Sequence, residues 1–317
     1  MDSRKSGMVA IAGRPNAGKS TLLNAILGAQ ISIVSPKAQT TRDHLRAIYS
    51  EDQGQIVFID TPGIHNAKPD SINSFMVSEA AMALEEPNVV WYIIDPRSKI
   101  KHESVVLDLI EKSKAPVFLL MNKIDLDIEA TEQDLLQAFV DELKQEFTNR
   151  SILLKKIFMI SSLRKKGIKE LLDQTWEALP IGPIFYPDEE MISDRPTRYF
   201  AGEMIREQLY RHLGDELPYS CAVQIESFKE LDRLSKIKAV IYVERESQKK
   251  MVIGKGAKKI KEIGIDARGS IEKLIDQKVF LGLEVKVLKD WTKNKDHLKK
   301  MGYVLPKGSA RGQNASH

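Results

Sequence analysis

Residues 13–20 have the residue types and the spacing that bind phosphate. They read Gly-Arg-Pro-Asn-Ala-Gly-Lys-Ser and match the pattern G-x-x-x-x-G-K-[ST]. The two glycines let the backbone curl so that successive N–H groups point at one anion. In this pattern Lys19 reaches the β- and γ-phosphates of a nucleotide, and the Ser20 hydroxyl binds Mg²⁺. We call residues 13–20 the phosphate loop and predict that they hold nucleotide phosphates.

The residues around the phosphate loop predict the elements that position it. Residues 8–12 are apolar and indicate a buried strand, and residues 21–27 indicate a helix that ends at Gly28. A helix N-terminus adds its positive dipole end to an anion site. The alternative is a glycine-containing turn that meets the pattern by chance. The predicted nucleotide contacts of this stretch are Gly13, Asn16, Ala17, Gly18, Lys19, Ser20 and Thr21.

A second motif closes a strand predicted at residues 54–60, which ends in Asp60-Thr61-Pro62-Gly63. An acid at the C-terminal end of a buried strand, beside a phosphate loop, is placed to hold Mg²⁺ through water. Gly63 can bring a backbone N–H to a γ-phosphate. Taken alone, Asp-Thr-Pro-Gly is also a turn signal.

Apolar strands alternate with helical patterns through the first half of the chain. This alternation predicts an α/β fold of the P-loop NTPase type, with a doubly wound, mostly parallel sheet covered on both faces. The predicted strands are residues 8–12, 44–50, 54–60, 89–95, 117–121 and 157–160, and the predicted helices are residues 21–27, 72–84, 105–110 and 135–147. The motifs fall at the C-terminal ends of strands, where such sheets bind ligands.

Two further motifs follow the fifth and sixth predicted strands, and the first of them bears on the choice of base. Residues 122–125 read Asn-Lys-Ile-Asp, and residues 161–163 read Ser-Ser-Leu. The Asp125 carboxylate can accept hydrogen bonds from N1–H and from the N2 amino group of guanine, whereas adenine offers neither donor in that arrangement. Asn122 and Lys123 would fix the loop and flank the base. With the phosphate loop, these motifs resemble a GTPase of the translation-factor-like class, and an ATPase is the alternative.

The closer resemblance is to the Era family of bacterial ribosome-associated GTPases, with a TrmE-Era-EngA-like GTPase domain and a type II KH domain. It covers nearly the whole chain. In the N-terminal half it rests on the phosphate loop, on Gln-Thr-Thr-Arg at residues 39–42 and on Asp-Thr-Pro-Gly. In the C-terminal half it rests on Leu-Pro-Tyr-Ser at residues 217–220 and on the run at residues 243–254.

The resemblance implies roles for individual residues. Thr41, or its neighbour Thr40, contacts Mg²⁺ in the GTP state together with Ser20 and Asp60, and Gly63 senses the γ-phosphate. The residues implied in hydrolysis are Lys19, Asn16, Thr41 and Gly63. The implied base contacts are Asn122, Lys123, Asp125, Ser161, Ser162 and Leu163, where Ser162 stands in place of the family's usual alanine.

Ile64 stands where many signalling GTPases have the glutamine that orients the attacking water. An apolar side chain cannot orient water, so this role must come from elsewhere. The resemblance offers Asn16, which would help to hold K⁺ near the phosphates, and a loop-stabilising role for Asn16 is the alternative. The implied cofactors are GTP or GDP, Mg²⁺ and, through Asn16, K⁺.

The second half of the chain predicts a different unit. Residues 180–190 break all periodicity and indicate a linker. A helix is predicted at residues 197–213 and antiparallel strands at 219–229 and 235–246, followed by a glycine loop, a basic helix and a strand at 279–288. This order resembles a small α+β type II KH domain, which grips single-stranded RNA with a Gly-x-x-Gly loop.

The loop itself departs from that pattern. Residues 254–257, which we call the KH loop, read Gly-Lys-Gly-Ala, so that alanine replaces the last glycine. Alanine is small enough for close approach but is strained in a left-handed conformation. The predicted RNA contacts are Ile253, Gly254, Lys255, Gly256, Ala257, Lys258, Lys259 and Lys261.

Charge is distributed unevenly along the chain. The net charge is +4, but residues 249–300 hold 15 Lys or Arg against 7 Asp or Glu. This excess predicts an anionic partner for the C-terminal part. The single Cys221 excludes an internal disulfide and fits a reducing cytosol. No apolar run approaches the length of a membrane span, and we expect no signal peptide.

We therefore expect a GTP-hydrolysing switch protein in the cytoplasm, with a GTPase domain at residues 1–180, a linker at 181–195, a KH-type domain at 196–303 and a disordered tail at 304–317. The resemblance implies binding to small-subunit (16S) ribosomal RNA near its 3′ end, assistance in 30S subunit assembly, and no binding to DNA. The alternative from another class is an RNA-binding module in which the nucleotide is structural or regulates another RNA process. Peripheral association with the inner membrane also stays open.

Overall fold

The structure, a computed structural model, describes residues 4–34, 37, 41–64, 72–125, 130–214 and 216–303, with the backbone alone at 130–135. The described residues form a six-stranded sheet and a three-stranded sheet. The first sheet has an apolar core on each face, and the second sheet has a core of its own.

The first sheet contains strands β1 to β6. Their bounds are β1 Lys5–Ala12, β2 Leu45–Glu51, β3 Gly54–Asp60, β4 Val89–Ile94, β5 Val117–Met121 and β6 Leu154–Met159. The order across the sheet is β2-β3-β1-β4-β5-β6, with β2 antiparallel to β3 and all other neighbours parallel. This order confirms the predicted doubly wound, mostly parallel α/β sheet. The phosphate loop, Asp60 and Asn122 all lie at C-terminal ends of parallel strands, where such sheets bind ligands.

Helices cover the first sheet. Their bounds are α1 Lys19–Leu27, α2 Ile72–Ala83, α3 Ser104–Ile110, α4 Ala130–Asn149 and α5 Ile168–Ala178. Trp91 and Tyr92 are neighbours on β4 but lie in opposite cores, because side chains alternate across a strand. Helix α5 is absent from the predicted elements. Its buried Ile168, Leu171 and Trp176 have the spacing of an amphipathic helix, so this signal was present in the sequence.

The second unit is built on the three-stranded sheet. Its elements are α6 Thr197–His212, β7 Ala222–Lys229, β8 Ser235–Val243, α7 Glu246–Ile253, α8 Lys258–Ile275, β9 Val279–Val287 and α9 Lys295–Lys300. Strand β7 pairs antiparallel with β8, and β9 pairs parallel with β8. Helices α6 and α8 pack on each other and on the sheet. The predicted α+β unit is therefore present, with α7 and α9 as helices that the sequence analysis did not predict.

The segment that joins the two units is hydrogen-bonded to β1 and β2 of the first one. The Ser6 N–H donates to the Pro180 carbonyl at 3.0 Å, and the Ile48 N–H donates to the Ile192 carbonyl at 3.0 Å. The Ser193 hydroxyl donates to the Arg46 carbonyl at 2.7 Å. Pro180 and the predicted linker are thus held on β1 and β2 by main-chain hydrogen bonds and by the Ser193 hydroxyl.

Three further predictions concern the whole chain. Residues 304–317, predicted to be disordered, lie outside the described residues. Cys221 is a buried free thiol, and burial raises the pKa of its sulfhydryl to about 12. No helix in the described part of the chain has the length and apolar character needed to cross a membrane.

Candidate functional site

Lys19, in the phosphate loop, is the first residue of helix α1 and is almost completely buried. Its ammonium donates hydrogen bonds to the carbonyl oxygens of Gly13 and Arg14, both at 2.9 Å. Burial lowers the pKa of Lys19 to about 8, and the nearby carboxylates of Asp60 and Glu103 oppose this shift. The loop therefore holds a cation for which phosphate oxygens would compete with two neutral carbonyls.

Gly18 is a position that only glycine fits. Its φ is 107°, and a Cβ there would lie 2.1 Å from Nδ2 of Asn122. That Nδ2 donates a hydrogen bond to the Ala17 carbonyl at 2.8 Å. The missing Cβ thus lets the Asn-Lys-Ile-Asp motif bond to the phosphate loop. Asn16 lies exposed in the same loop with a positive φ of 62°.

Ser20, Thr41 and Asp60 lie together at the end of β3. The Ser20 Oγ is 3.2 Å from the Thr41 Oγ1 and 3.3 Å from the Asp60 Oδ2, and the Ser32 hydroxyl donates to the same Oδ2 at 2.7 Å. The Asp60 Oδ1 is buried and has no hydrogen-bond partner among the described residues. Burial raises the pKa of Asp60. Thr40 lies outside the described residues.

These oxygens suit a magnesium ion. Mg²⁺ prefers oxygen ligands and binds through one or two carboxylates together with substrate phosphates. An unpartnered buried carboxylate oxygen needs a compensating group, and a cation is one. The two hydroxyls of Ser20 and Thr41 and the Oδ1 of Asp60 therefore fit Mg²⁺ as a donor set.

Gly63 and Ile64 follow the same strand and have different surroundings. Gly63 is buried against the phosphate loop, where a Cβ would lie 2.7 Å from the Pro15 ring. The Ile64 N–H donates to the Gly13 carbonyl at 3.2 Å. The Ile64 side chain is 1% exposed and belongs to the apolar core that contains Tyr92. Ile64 is therefore a core residue, in keeping with its inability to orient water.

The motifs after β5 and β6 are bonded to each other. The Asn122 Oδ1 accepts hydrogen bonds from the N–H and from the hydroxyl of Ser162, both at 2.9 Å. The Ser161 hydroxyl donates a hydrogen bond to the Asp125 Oδ1. The hydroxyl of Ser162, which the family's usual alanine lacks, thus adds a second bond that holds Asn122. The Asp125 carboxylate is oriented by Ser161.

Lys123 lies beside this pair with a positive φ of 68°. Its ammonium donates to the Asp95 Oδ2 at 2.9 Å, and Arg97 donates to the same carboxylate at 2.7 Å. Although partial burial acts to raise it, the pKa of Asp95 lies below its usual value because both cations donate hydrogen bonds to it. Leu163 is 71% exposed at the rim of this region. Thr21 is half-buried in the first turn of α1.

Glu103 is a buried carboxylate that the sequence analysis did not single out. It accepts hydrogen bonds from the Tyr92 hydroxyl at 2.8 Å and from the Ser98 hydroxyl at 2.5 Å. The Arg14 guanidinium lies 3.9 Å away. A negative charge therefore sits behind the phosphate loop and favours the protonated form of Lys19.

The KH loop connects α7 to α8 and lies at the surface. Gly254 has φ 74° and ψ 170°, Gly256 has φ 60°, and Ala257 has φ 59° and precedes α8. Alanine thus occupies the fourth loop position in the left-handed conformation that the sequence analysis associated with strain. The exposed side chains here are Lys255, Lys258 and Lys261, and the half-buried residues are Ile253, Gly254 and Lys259.

Comparisons with known proteins agree with this geometry. A family model described as 50S ribosome-binding GTPase matches residues 8–123, and a model described as KH domain matches residues 216–292. The GTPase Era of Geobacter metallireducens is 42% identical over 303 residues, which is 95% of this chain and 98% of the relative. The GTPase Era of Carboxydothermus hydrogenoformans is 41% identical over 297 residues, or 93% and 96% of the two chains.

Two solved structures match this chain in fold over nearly its whole length. Each has a TM-score of 0.87 and 36% identity, and covers 95% of this chain and 100% of its own. One is Aquifex aeolicus Era bound to GDP and AlF₄⁻. The other is Era in complex with MgGDPNP and nucleotides 1506–1542 of 16S ribosomal RNA. The second of these relatives therefore holds magnesium, a guanine nucleotide and RNA in one complex.

Proposed function

The chain belongs to the Era family of GTPases, and from that premise we propose that it is a GTP-hydrolysing switch protein that binds 16S ribosomal RNA and assists 30S subunit assembly. One observation carries the proposal. A phosphate loop, the unpartnered oxygen of Asp60 and the oriented carboxylate of Asp125 lie at one edge of the sheet. A loop that bound phosphate alone would need neither carboxylate.

The phosphate loop acts by position and charge. The backbone N–H groups of the phosphate loop, which Pro15 lacks, and the dipole of α1 are assigned to the phosphates, and Lys19 exchanges its two carbonyl partners for phosphate oxygens. The Gly63 N–H is assigned to the γ-phosphate. Phosphoryl transfer needs little covalent chemistry from the protein, so these fixed donors lower the barrier mainly by stabilising charge.

Magnesium, when bound, neutralises charge on the β- and γ-phosphates. We assign its protein contacts to the hydroxyls of Ser20 and Thr41 and, through water, to the Oδ1 of Asp60. The Ser32 hydroxyl holds the other oxygen of Asp60 and so fixes the direction in which Oδ1 points. The short distance between the Ser20 and Thr41 hydroxyls supports a site in which both reach one ion.

Base choice is assigned to Asp125, which accepts from N1–H and from the N2 amino group of guanine. Ser161 holds one of its oxygens, and Ser162 and Ala17 hold Asn122, so the carboxylate is presented on a rigid loop. Lys123 flanks the base. A site that pairs two guanine donors leaves its acceptors unpaired with adenine, which is costly.

Ile64 is not assigned to orient the attacking water, because its side chain is buried in the core. We propose that Asn16 supports a K⁺ ion beside the phosphates. This assignment requires faster hydrolysis in K⁺ than in Na⁺ at equal ionic strength. Equal rates in the two salts would leave Asn16 with a loop-stabilising role.

RNA binding is assigned to the KH loop and the first turn of α8. The N-terminus of a helix of 18 residues and the exposed Lys255, Lys258 and Lys261 provide donors and positive charge for a single-stranded backbone. We place the GTPase domain at residues 1–180, the linker at 181–195 and the RNA-binding domain at 196–303. The packing of α6 on β7 and α8 supports the start of the last domain.

The matched GTPase family is described as 50S ribosome-binding, whereas 16S RNA belongs to the small subunit. We favour the small subunit because the relative solved with 16S RNA matches nearly the whole chain, including the KH domain, whereas the 50S description rests on residues 8–123 alone. We expect the protein to act in the cytoplasm. Association with the inner membrane, if it occurs, is expected to be peripheral.

The test is multiple-turnover phosphate release from GTP by the full-length protein in Mg²⁺, with binding of an RNA of nucleotides 1506–1542 measured on the same sample. We expect many turnovers per protein molecule and a stable RNA complex. Lys19→Ala is the control and should lose at least roughly 100-fold in rate, about 3 kcal/mol of charge stabilisation. RNA binding without turnover would favour the module with a structural nucleotide.

A further inference from the structure

The side chain of Arg42 crosses from the GTPase domain into the RNA-binding domain. It belongs to the segment between α1 and β2, and only 4% of it is exposed. Its guanidinium donates hydrogen bonds to the backbone carbonyls of Cys221 at 2.8 Å, Tyr219 at 3.0 Å and Pro218 at 3.4 Å. It also lies over the buried ring of Trp291, 5.6 Å from the centroid.

These contacts are specific to a guanidinium. A cation withdrawn from water needs its donors satisfied, and the planar fork of arginine matches several carbonyls at once. The Tyr303 hydroxyl, 3.5 Å from the same fork, adds a further oxygen. Removing the side chain would leave the carbonyls before β7 without this donor and would open a gap beside Trp291.

Arg42 directly follows a residue of the magnesium site. The Thr41 Oγ1 lies 3.2 Å from the Ser20 Oγ. Consecutive Cα atoms are about 3.8 Å apart, so Thr41 cannot move far from Ser20 while Arg42 keeps its carbonyls. If Thr41 moves away from Ser20, either Arg42 must leave its carbonyl partners or the RNA-binding domain must move with Arg42.

The next two residues, Asp43 and His44, both accept hydrogen bonds from Arg195. The Asp43 carboxylate accepts from the Arg195 guanidinium at 2.7 Å, and the His44 carbonyl accepts from Arg195 at 3.1 Å. Arg195 lies just before α6. Residues 41–44, which we call the switch segment, therefore touch the magnesium site at one end and the approach to the RNA-binding domain at the other.

We propose that Arg42 is a positioning residue for GTP hydrolysis, which anchors the switch segment on the RNA-binding domain and so holds Thr41 at the magnesium site. The inference rests on the proposed function and deepens it. The docked RNA-binding domain then contributes to the GTPase site without touching the nucleotide. Docking of this domain and the Thr41 contact to Mg²⁺ are then coupled, and each strengthens the other by the same coupling free energy.

The experiment compares Mg²⁺ affinity in two nucleotide complexes of full-length Arg42→Ala. With GDPNP we expect about tenfold weaker Mg²⁺ binding, the usual effect of removing a residue that orients a metal ligand. With GDP we expect no change, because Thr41 is assigned to Mg²⁺ only in the GTP state. The kcat for GTP should fall by about the same factor with little change in KM. Arg42→Lys should be intermediate.

Two further variants separate positioning from general structure. Arg198 donates to the Ile225 carbonyl at 2.9 Å within the RNA-binding domain, so Arg198→Ala removes a similar bond without touching the switch segment. It should leave both Mg²⁺ affinities unchanged. Thr41→Ala and the double variant complete a cycle. If Arg42 acts through Thr41, the double variant binds Mg²⁺ no more weakly than Thr41→Ala alone.

Three results would overturn the inference: an unchanged Mg²⁺ affinity of the Arg42→Ala GDPNP complex, equal losses with GDP and GDPNP, or additive effects of the Thr41 and Arg42 substitutions. If Arg42→Ala does not fold, as thermal unfolding would report, Arg42→Lys carries the same cycle. Failure of the proposed function would look different, because the unaltered protein would then lack turnover or RNA binding.

Discussion

Two loops of this chain enter helices through a residue in the left-handed region, one in enclosed and the other in open surroundings. Gly18, before α1, has φ 107° and ψ 18°, and Ala257, before α8, has φ 59° and ψ 20°. A Cβ on Gly18 would meet Asn122 at 2.1 Å, whereas Ala257 is exposed. Glycine at 18 is required by space as well as by backbone. Alanine at 257 costs only backbone strain, about 1–2 kcal/mol.

The difference indicates how each loop selects its ligand. The phosphate loop is enclosed, since a Cβ on Gly13 would lie 2.4 Å from the Ile93 carbonyl and Lys19 is buried. The KH loop is open, since a Cβ on Gly256 would meet nothing within 4 Å. The enclosed loop can therefore select by geometry, whereas the open loop depends on charge and on contacts that can adapt.

The largest difference between the two loops is expected from a matched pair of glycine substitutions, Gly18→Ala and Gly256→Ala. Gly18→Ala combines left-handed strain with a clash and should cost about 3 kcal/mol, or roughly 100-fold in GTP affinity. Gly256→Ala adds a Cβ in open space and should leave RNA affinity within about threefold, with about 1 kcal/mol lost from stability. Calorimetric titration of both ligands and thermal unfolding measure this. Equal tolerance at both positions would remove the distinction between the loops.

The second prediction isolates charge in the KH loop. Gly256→Asp places a carboxylate where phosphate is expected and should weaken RNA binding by about 2 kcal/mol, or roughly 30-fold, whereas Gly256→Asn, of equal size, should stay within about threefold. The log–log salt slope of the unaltered protein should be roughly −2 to −3 if three or four phosphates are neutralised. Gly254 is a poorer site for this test, because a Cβ there would lie 2.7 Å from Lys259. Similar losses from Asp and Asn would show that shape, not charge, governs this loop.

The third prediction concerns pH at the enclosed loop. Burial lowers the pKa of Lys19 to about 8 in the unliganded protein, and phosphate oxygens favour its charged form. Above about pH 8 binding must take up a proton, so GTP affinity should fall with rising pH, by at most about tenfold per unit. Lys19→Arg keeps its charge and should lack this fall between roughly pH 7 and 9. Parallel pH profiles of the two proteins would contradict the assignment.

The smallest effect is expected at Ala257. Ala257→Gly relieves left-handed strain but adds freedom to the unfolded chain, so the two terms oppose each other. Thermal stability should change by about 1 kcal/mol or less, and RNA affinity should hold or rise. A fall in RNA affinity beyond about threefold would mean that the Ala257 methyl group itself contacts RNA.

Local periodicity predicted most strands of the first sheet, although it was not used for α5, whose amphipathic spacing is also local. Strands β3 and β5 begin and end where the apolar runs do. The strand predicted at residues 235–246 runs past β8 because its alternation continues into α7. There the Gln248 side chain accepts from the backbone N–H groups of Glu244 and Arg245, at 2.8 and 3.1 Å, and stabilises the helix start.

The supporting contacts of the site could not be predicted in the same way, because their partners are distant in sequence. Arg42 bonds to a carbonyl 179 residues away, and Ser32 bonds to Asp60 across 28 residues. The spacing of residues in a motif predicts which groups face a ligand. Which side chains hold those groups in place depends on the folded chain, and Ser32 and Glu103 carry no local signal of that role.

Asp125 is the residue assigned to recognise guanine, and direct binding of GTP, ATP and xanthosine triphosphate tests that role. The unaltered protein should prefer GTP to ATP by roughly 10⁴-fold or more, because adenine would leave the acceptors of Asp125 unpaired beneath the base. Asp125→Asn should weaken GTP and favour xanthosine triphosphate, whose ring offers an acceptor where guanine offers a donor. Comparable affinities of the unaltered protein for ATP and GTP would contradict the account.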